Sequence, residues 1–144
     1  MSAQENKTIA RRLLEEPWTN LDVADDLVDD RYVGHDPSLP EPPRGPQGFK
    51  DNVSMFRAGY SDAQITVDDQ IAEGAKVASR WTGRGTHDGE LMGIAPTGKQ
   101  VAVAGLTISH VENGRVVEEW TNWDTLGMLQ QLGAVPAPSQ SPPA

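Results

Sequence analysis

The sequence predicts an α+β fold in which helices come first and a curved, mostly antiparallel sheet follows. Two observations predict it. Apolar residues recur with helical spacing as far as Gly59 and then alternate along the chain. Later, two strand-like runs flank Asn113-Gly114, a pair typical of a tight β-hairpin because both residues of a type I′ turn need positive φ.

Three helices are predicted before the sheet, and each has a recognisable start or end. Pro17 ends the first, amphipathic helix because proline has no backbone N–H to continue the helical ladder. Asn20 can cap the second helix through its side-chain oxygen, and Pro46 suits the first turn of the third. The predicted ranges are helices over 4–16, 21–28 and 45–59, an extended piece over 31–33, and a proline-rich loop over 37–46.

Four antiparallel strands and a short last helix are predicted after the third helix. The glycine-rich segment 89–98 should be an irregular excursion between strands, and Gly133 should end the last helix. The final residues are rich in proline and serine and are expected to be disordered. The predicted ranges are strands over 65–71, 77–86, 101–111 and 116–123, a helix over 125–132, and a tail over 134–144, which leaves one domain over 1–133.

The hairpin also predicts which residues share a face of the sheet. Regular pairing from the turn places Thr107 near Trp120 and Val103 near Asp124. Because both faces carry large apolar residues, both should be covered, one by a cavity and the other by a partner. The predicted cavity face carries Trp120, Asn122 and Asp124, and the predicted partner face carries Leu106, Ile108, Val117 and Trp123.

The partner face predicts a homodimer that forms through the sheet. In a monomer it would expose a contiguous apolar patch, which monomeric proteins rarely tolerate. In this register Glu119 lies near Ile108, so its charge would need a rim position or a basic partner such as Arg80. The alternative is that segment 89–98 folds over this face within one chain.

Composition limits the classes of function that remain. The chain has 144 residues, a natural length for one domain, and a formal net charge of −9, which argues against nucleic acid and anionic membranes as partners. It has no cysteine, so disulfides, thiolate metal sites and cysteine nucleophiles are excluded. No apolar run approaches the roughly 20 residues of a membrane span, and the first residues lack a signal-peptide core. A cytoplasmic protein is therefore expected.

The most specific pattern lies between Ser79 and Gly133. It reads G-T-H-x-G-E-x-x-G-I-x-P-T-G-K, then a strand and a hairpin, then E-E-W-x-x-x-D-x-L-G-x-L-x-Q-L-G. This stretch resembles the SnoaL-like polyketide cyclase and ester cyclase family, part of the wider nuclear-transport-factor-2-like fold. The resemblance implies a cone-shaped domain whose N-terminal helices close a cavity on the concave side of the sheet. It also implies an enzyme of secondary metabolism, without a cofactor, that cyclises or isomerises a small apolar polyketide-like or polycyclic carbonyl substrate.

Asp124 is the leading candidate for the catalytic residue. On the predicted cavity face it could act as a general acid or base in an apolar pocket, where desolvation would favour its protonated form. Asp immediately before the last helix is also a good N-cap, and the two roles can coexist. Trp120 shares its predicted face and is expected to form a cavity wall. The other residues expected to bind substrate are Asn122, Tyr32, Phe56, Trp81 and Thr107.

Two histidines are further catalytic candidates. In the family a histidine at the position of His35 resembles a residue at the cavity mouth that orients a carbonyl or relays a proton. His87 matches the family pattern at a strand end. Their alternatives are a loop histidine bonded to the backbone and a solvated strand-end histidine. A zinc site from His35, His87 and Asp124 has no supporting His-x-x-His or Glu-x-x-His spacing, so no metal is expected.

The chain departs from the family at positions that matter for the reaction. Polyketide aldol cyclases of this family use an aspartate near the end of the last strand and a histidine on the strand before it. Here the earlier strand offers Thr107 and Ser109, and an ungapped comparison puts Thr121 at the aspartate position. A non-catalytic ligand-binding domain or an accessory partner of the hydroxylase-like branch therefore stays open. The epoxide-hydrolase branch needs an Asp-Arg-Asp set, of which Arg80 matches only the arginine.

Overall fold

The computed structural model of the chain describes residues 2–136. Within them a layer of helices packs on a five-stranded sheet, which confirms the predicted α+β class. The helices are α1 (Ala3–Glu15), α2 (Val23–Leu27), α3 (Gly45–Gly59) and α4 (Thr125–Leu132), with one 3₁₀ turn at Glu16–Trp18. The strands are β1 (Val28–His35), β2 (Gln64–Glu73), β3 (Lys76–Thr86), β4 (Gln100–Glu112) and β5 (Arg115–Trp123).

The sheet is mostly antiparallel, as predicted, but one pair of strands is parallel. Its order is β1-β5-β4-β3-β2, with β1 parallel to β5 and all other pairs antiparallel. Helix α1 packs on β2 and β3, and α3 packs on β1. We call the face under these helices the inner face. The sheet is open rather than closed, so its cavity is completed by helices and loops.

The N-terminal helices differ from the prediction mainly in their ends. Helix α1 begins with a capping box, in which the Ser2 hydroxyl accepts from the Glu5 backbone N–H at 3.1 Å and Glu5 accepts from Ser2 in return. Helix α2 is shorter than predicted at both ends. Its N-cap is Asp22 and makes no side-chain hydrogen bond, so the predicted Asn20 cap is wrong, and Val28 already belongs to β1. That strand spans eight residues instead of three, since it is held by pairing with β5. Such a pairing is a tertiary contact that local propensity does not contain.

The β4–β5 hairpin turns where the sequence predicted. Asn113 and Gly114 have φ values of 50° and 79°, as a type I′ turn requires. Next to the turn, Val111 lies opposite Val116, in the predicted register. Beyond it β5 contains one extra residue, so that Ser109 lies opposite Glu119 and the pairing stays shifted by one for the rest of the hairpin. This is a β-bulge.

The bulge makes the predicted faces of β5 wrong. Because side chains alternate, a shift of one residue moves each of them to the opposite face. Thr121 now lies opposite Thr107 on the inner face, and Trp120 lies opposite Ile108 on the other. The inner face of β5 therefore presents Glu119, Thr121 and Trp123, while Trp120 and Asn122 belong to the outer face.

The outer face remains open in a single chain. We define it by its apolar residues Ile71, Leu106, Ile108 and Trp120, of which the first three are 71%, 55% and 43% exposed. Segment 89–98 does not cover it, because Leu91 of that segment is buried in a separate apolar cluster with Tyr60, Val101, Met128 and Leu132. The alternative in which this segment closes the face is therefore wrong, and the homodimer stays a prediction.

The described residues that follow α4 bond back to the helix. Gly133 adopts φ 78° and ends the helix, as predicted. The backbone N–H groups of Ala134 and Val135 donate to the Leu129 carbonyl at 2.9 and 3.4 Å. The rest of the predicted tail, 137–144, lies outside the described residues. None of the helices in the described part is long and apolar enough to cross a membrane.

Candidate active site

A cavity of about 170 Å³ lies between the helices and the inner face of the sheet. Its walls are mostly apolar and come from α1, α3, β3, β4 and α4. Representative wall residues are Leu13, Trp18, Phe49, Phe56, Val103 and Met128. A mostly apolar concave site with a few convergent polar groups is the usual form of a small-molecule site. The polar groups are therefore the ones that decide its chemistry.

Glu119 is the buried acid of this cavity. Its side chain lines the cavity and the residue is only 5% exposed. The Tyr32 hydroxyl donates to Oε1 at 2.9 Å, and the Ser109 hydroxyl donates to Oε2 at 3.0 Å. The two donors come from the strands on either side of β5. Ser109 lies directly opposite Glu119 on β4, and Tyr32 belongs to β1, where Gly34 lies opposite Glu119. The carboxyl is thus held from both sides.

Burial controls the protonation of Glu119. Loss of water raises the pKa of its carboxyl, and the hydrogen bonds from Tyr32 and Ser109 lower it by less, so the net shift is upward. The pKa of Tyr32 is also raised, first by burial and then by the charge of Glu119. Tyr32 therefore remains a hydroxyl donor, and Glu119 exchanges its proton closer to neutral pH than an exposed glutamate does.

A chain of three polar groups lies beside Glu119 on the same face. The Trp81 Nε1–H donates to Thr107 Oγ1 at 3.0 Å, and Thr107 Oγ1 lies 2.9 Å from Thr121 Oγ1. Thr107 is 1% exposed, whereas Thr121 is half-buried and lines the cavity. Gly105 makes room for the indole, because a Cβ there would lie 2.2 Å from the Trp81 ring. The packing thus fixes the orientation of the chain.

The loop after β1 is attached to the cavity through Trp123. The Trp123 Nε1 atom lies 3.2 Å from Asp36 Oδ2 and 3.1 Å from Ser38 Oγ, and its proton is donated to these oxygens. Asp36 in turn accepts from the Ser38 backbone N–H at 2.8 Å. The Phe56 ring meets the Trp123 ring edge-on at 5.9 Å. These contacts fix the loop that carries Asp36 and Leu39 to the cavity wall.

The structure brings four of the predicted substrate-binding residues together. Tyr32, Phe56, Trp81 and Thr107 all line the cavity. Tyr32 and Trp81 are buried at 4% and 6% exposure, and each directs its polar atom to another cavity residue.

Asp124, Trp120 and Asn122 lie elsewhere, because the predicted register is wrong. Asp124 is exposed, and its Oδ1 accepts from the Gly127 backbone N–H at 2.8 Å as the N-cap of α4. It is not among the residues that line the cavity. Trp120 and Asn122 are on the outer face, opposite Ile108 and Leu106.

His35 borders the cavity, but its ring points to the outer face. Its Nε2 lies 2.6 Å from Glu118 Oε2, and its ring stacks on Trp120 with 5.5 Å between centroids. Lys76 also contacts Trp120, because its Nζ lies over the indole ring, 5.4 Å from the ring centroid. His35 therefore joins an outer-face cluster rather than the polar groups around Glu119.

His87 is fully buried and is not one of the cavity-lining residues. The solvated position considered for it is therefore wrong. Its Nδ1 accepts from the Thr97 backbone N–H at 3.2 Å, which closes the base of segment 89–98. Its ring packs against Tyr60 at 5.4 Å. His87 therefore stabilises the base of segment 89–98 from within the protein.

The residues considered for other chemistries are also separated. His35, His87 and Asp124 have different partners, and residues 2–136 contain no group of three or more His, Asp or Glu side chains able to hold a metal ion. Arg80 is exposed and lies 3.8 Å from Asp68, away from the cavity acid.

Sequence reasoning missed Glu119, Thr121, Trp123 and Asp36 as cavity residues. One signal was available for Glu119, since the predicted register left its charge on an apolar face with no defined partner. A bulge removes that conflict by placing Glu119 opposite the Ser109 hydroxyl.

The chain matches a family of polyketide cyclases along most of its length. The sequence profile of the SnoaL-like polyketide cyclase family matches residues 8–132. Aklanonic acid methyl ester cyclase AcmA from Streptomyces galilaeus is 32% identical over 92 residues, which are 62% of this chain and 63% of AcmA. The match thus spans less than two thirds of that relative.

Solved structures agree with the profile. IdmH from Streptomyces antibioticus, a proposed polyketide cyclase, is 35% identical, with a TM-score of 0.76 over 90% of this chain and 99% of IdmH. AclR from Streptomyces galilaeus, a proposed hydroxylase, is 26% identical, with a TM-score of 0.78 over 94% of this chain and 85% of AclR. With its open sheet and helix-covered cavity, the chain belongs to the SnoaL-like polyketide cyclase family and has the nuclear-transport-factor-2-like fold.

Proposed function

We propose that this chain is an enzyme of secondary metabolism that cyclises or isomerises an apolar polyketide-like or polycyclic carbonyl compound by proton transfer. Glu119 is the acid/base in this proposal. The observation that carries it is a buried carboxyl at the wall of an apolar cavity, held by the Tyr32 and Ser109 hydroxyls. The reaction needs only groups that the chain itself supplies.

The surroundings of Glu119 suit proton transfer at a carbon next to a carbonyl. Its raised pKa makes the carboxylate a stronger base than an exposed glutamate, so it accepts a proton and returns it more readily. In a cyclisation, Glu119 takes the α-proton, the C–H electron pair becomes that of an enolate, and the enolate carbon bonds to a second carbonyl carbon. The proton is then delivered to the new alkoxide, which becomes a hydroxyl. In an isomerisation it is returned to another carbon of the conjugated system.

The residues of the cavity wall favour an apolar substrate. Aromatic and aliphatic side chains such as Phe49 and Met128 exclude water, which strengthens the interactions of the few polar groups that remain. AcmA, by its name, is a cyclase of aklanonic acid methyl ester, a substrate of the proposed class. We also propose that the protein acts in the cytoplasm and that it is a homodimer whose subunits contact each other through the outer face.

A second candidate function is a non-catalytic ligand-binding domain or an accessory partner of an oxygenating enzyme. It is favoured by the absence of the histidine that the resemblance to aldol cyclases implies on the earlier strand, which offers Thr107 and Ser109 instead, and by Thr121 at the aspartate position in an ungapped comparison. The similarity to AclR, a proposed hydroxylase, points the same way. In this case the cavity would hold the same class of ligand, and Glu119 would only position it.

Turnover by Glu119→Gln separates the two functions. The substrates are aklanonic acid methyl ester and a panel of polycyclic ketones, with binding measured in parallel by calorimetry. Glu118→Gln is the matched control, because it is the adjacent residue on the same strand and faces the opposite side.

We expect Glu119→Gln to lower turnover by about 100-fold or more, the usual contribution of a general acid/base, with little change in affinity. The Glu118→Gln and Asp124→Asn variants should retain activity. Unchanged turnover in Glu119→Gln contradicts the assignment of the base. Tight binding by the wild type without turnover of any compound supports the ligand-binding function instead.

A further inference from the structure

We infer that the Thr121 hydroxyl donates a hydrogen bond to the carbonyl oxygen of the substrate, and that Thr107 and Trp81 orient it for this purpose. The inference rests on the proposed function for the place of the substrate in the cavity. It adds a positioning residue and names the substrate class more closely: a ketone or ester with a hydrogen on the carbon next to the carbonyl.

The direction of the hydrogen bonds follows from what each group can donate. The indole N–H of Trp81 only donates, so Thr107 Oγ1 is its acceptor. Thr107 has one hydroxyl proton, is 1% exposed, and has Thr121 Oγ1 as the acceptor within reach at 2.9 Å. If Thr121 were the donor of this bond, the Thr107 proton would be buried without a partner, which is costly. Thr107 therefore donates to Thr121.

This direction leaves the proton of Thr121 available. Among the described residues, Thr121 Oγ1 has no hydrogen-bond partner other than Thr107. Thr121 lines the cavity, so a group of a bound molecule can accept its proton. Each bond in a chain polarises the next, so the Trp81–Thr107 bond also makes Thr121 a better donor.

Thr121 and Glu119 belong to the same wall of the cavity. They lie two residues apart on the inner face of β5, about 6.6 Å along the strand at its usual rise. A substrate whose carbonyl oxygen binds Thr121 can therefore place a neighbouring C–H on the side of the cavity where Glu119 lies. As that proton leaves the carbon, negative charge develops on the oxygen, and the hydrogen bond from Thr121 becomes stronger.

Two probes of nearly equal size test this contact by binding alone. The bicyclic ketone 1-tetralone carries a carbonyl, and the hydrocarbon tetralin lacks it. We expect the wild type to bind 1-tetralone more tightly. Thr121→Val should weaken 1-tetralone binding by roughly 3- to 10-fold, as expected for one neutral hydrogen bond, and leave tetralin binding unchanged. Thr121→Ser should restore the preference, and the infrared carbonyl stretch of bound 1-tetralone should move to higher frequency only in Thr121→Val.

Three results would overturn the inference. The wild type could bind 1-tetralone no more tightly than tetralin, Thr121→Val could keep the wild-type preference, or Thr121→Val could weaken the binding of both probes equally. If Thr121→Val folds poorly, Thr121→Ala gives the same comparison without a branched side chain. The test is independent of the assigned base, because binding of 1-tetralone requires no turnover.

Discussion

The Tyr32 hydroxyl donates a 2.9 Å hydrogen bond to Glu119 across the one parallel strand pair of the sheet. Gly34, which lies opposite Glu119, leaves space for this contact, because a Cβ there would lie 2.7 Å from the Tyr32 hydroxyl oxygen. A tyrosine and a glycine from β1 thus hold the acid of β5. The acid/base properties of the cavity depend on this edge strand.

Tyr32→Phe should raise the pKa of Glu119 further. The Tyr32 hydrogen bond stabilises the carboxylate and lowers its pKa, so its loss leaves the effect of burial less opposed. The limb of kcat/KM that depends on ionised Glu119 should move to higher pH. A pH–rate profile measures this shift, and an NMR titration of the Glu119 carboxyl measures the pKa directly.

The control for this prediction is Tyr60→Phe. Tyr60 also lines the cavity, but its hydroxyl has no hydrogen-bond partner among the described residues. Tyr60→Phe should leave the profile in place, whereas Ser109→Ala should move it in the same direction as Tyr32→Phe. A limb that stays fixed in Tyr32→Phe, or moves to lower pH, means that this hydrogen bond does not control the carboxyl.

Glu119→Gln should change how the stability of the protein depends on pH. The native pKa of Glu119 is raised above its ordinary value of 4.5, so the native state binds this proton more tightly than the unfolded state. Its contribution is fully present below the ordinary pKa and is lost as pH rises through the native pKa. Glutamine does not titrate, so the free energy of unfolding of Glu119→Gln relative to wild type should increase across that window.

Urea unfolding at a series of pH values measures this difference, with Glu118→Gln as the control. Glu118 is half-buried, and its partner His35 is on the outer face. A difference between Glu119→Gln and wild type that stays constant with pH, or falls as pH rises, would show that Glu119 is not buried as described.

The fold could be predicted from the sequence, but the face of β5 that forms the site could not. Prolines, glycines and the alternation of apolar residues are local signals, so they located α1, α3, the hairpin turn and the end of α4 closely. The bulge next to Val116 depends on how β4, β5 and β1 pack together, and it inverts every side chain beyond it. One inserted residue moved Asp124 out of the predicted site and Glu119 into it.

Some predicted site residues that are far apart in sequence do meet at the cavity, because burial alone decides their position. Tyr32 and Phe56 are aromatic residues on elements that must face the core, and both line the cavity. His35 and His87 were chosen for their chemistry. The position of each is set by a partner, Glu118 or Thr97, that local sequence does not identify.

Gly105→Ala should destabilise the protein by disturbing the Trp81–Thr107–Thr121 chain. The added Cβ would lie 2.2 Å from the Trp81 ring, so the indole must move. Overpacking of this kind costs roughly 1–3 kcal/mol. Gly83→Ala is the matched control on the neighbouring strand, because its Cβ would meet Trp81 and Val103 at an ordinary 3.4 Å. Urea unfolding measures both, and an equal cost for the two variants contradicts the prediction.

Ile108→Arg should convert a dimer into monomers. The outer face carries Ile71, Leu106 and Ile108 in exposed positions beside Trp120, and a two-fold axis would make one such patch self-complementary. A charge at Ile108 would be buried without a partner in that interface. Leu126→Arg is the control, because Leu126 is 59% exposed on α4 rather than on the outer face.

Light scattering at micromolar concentration measures both masses. The wild type and Leu126→Arg should have twice the chain mass of 15.6 kDa, and Ile108→Arg should have that mass alone. A wild type at 15.6 kDa rejects the dimer. Because Tyr32 and Glu119 lie on the inner face, the monomeric variant should keep the pH–rate profile of the wild type. A profile altered together with the mass would instead mean that the two faces of β5 are coupled through the strand that they share.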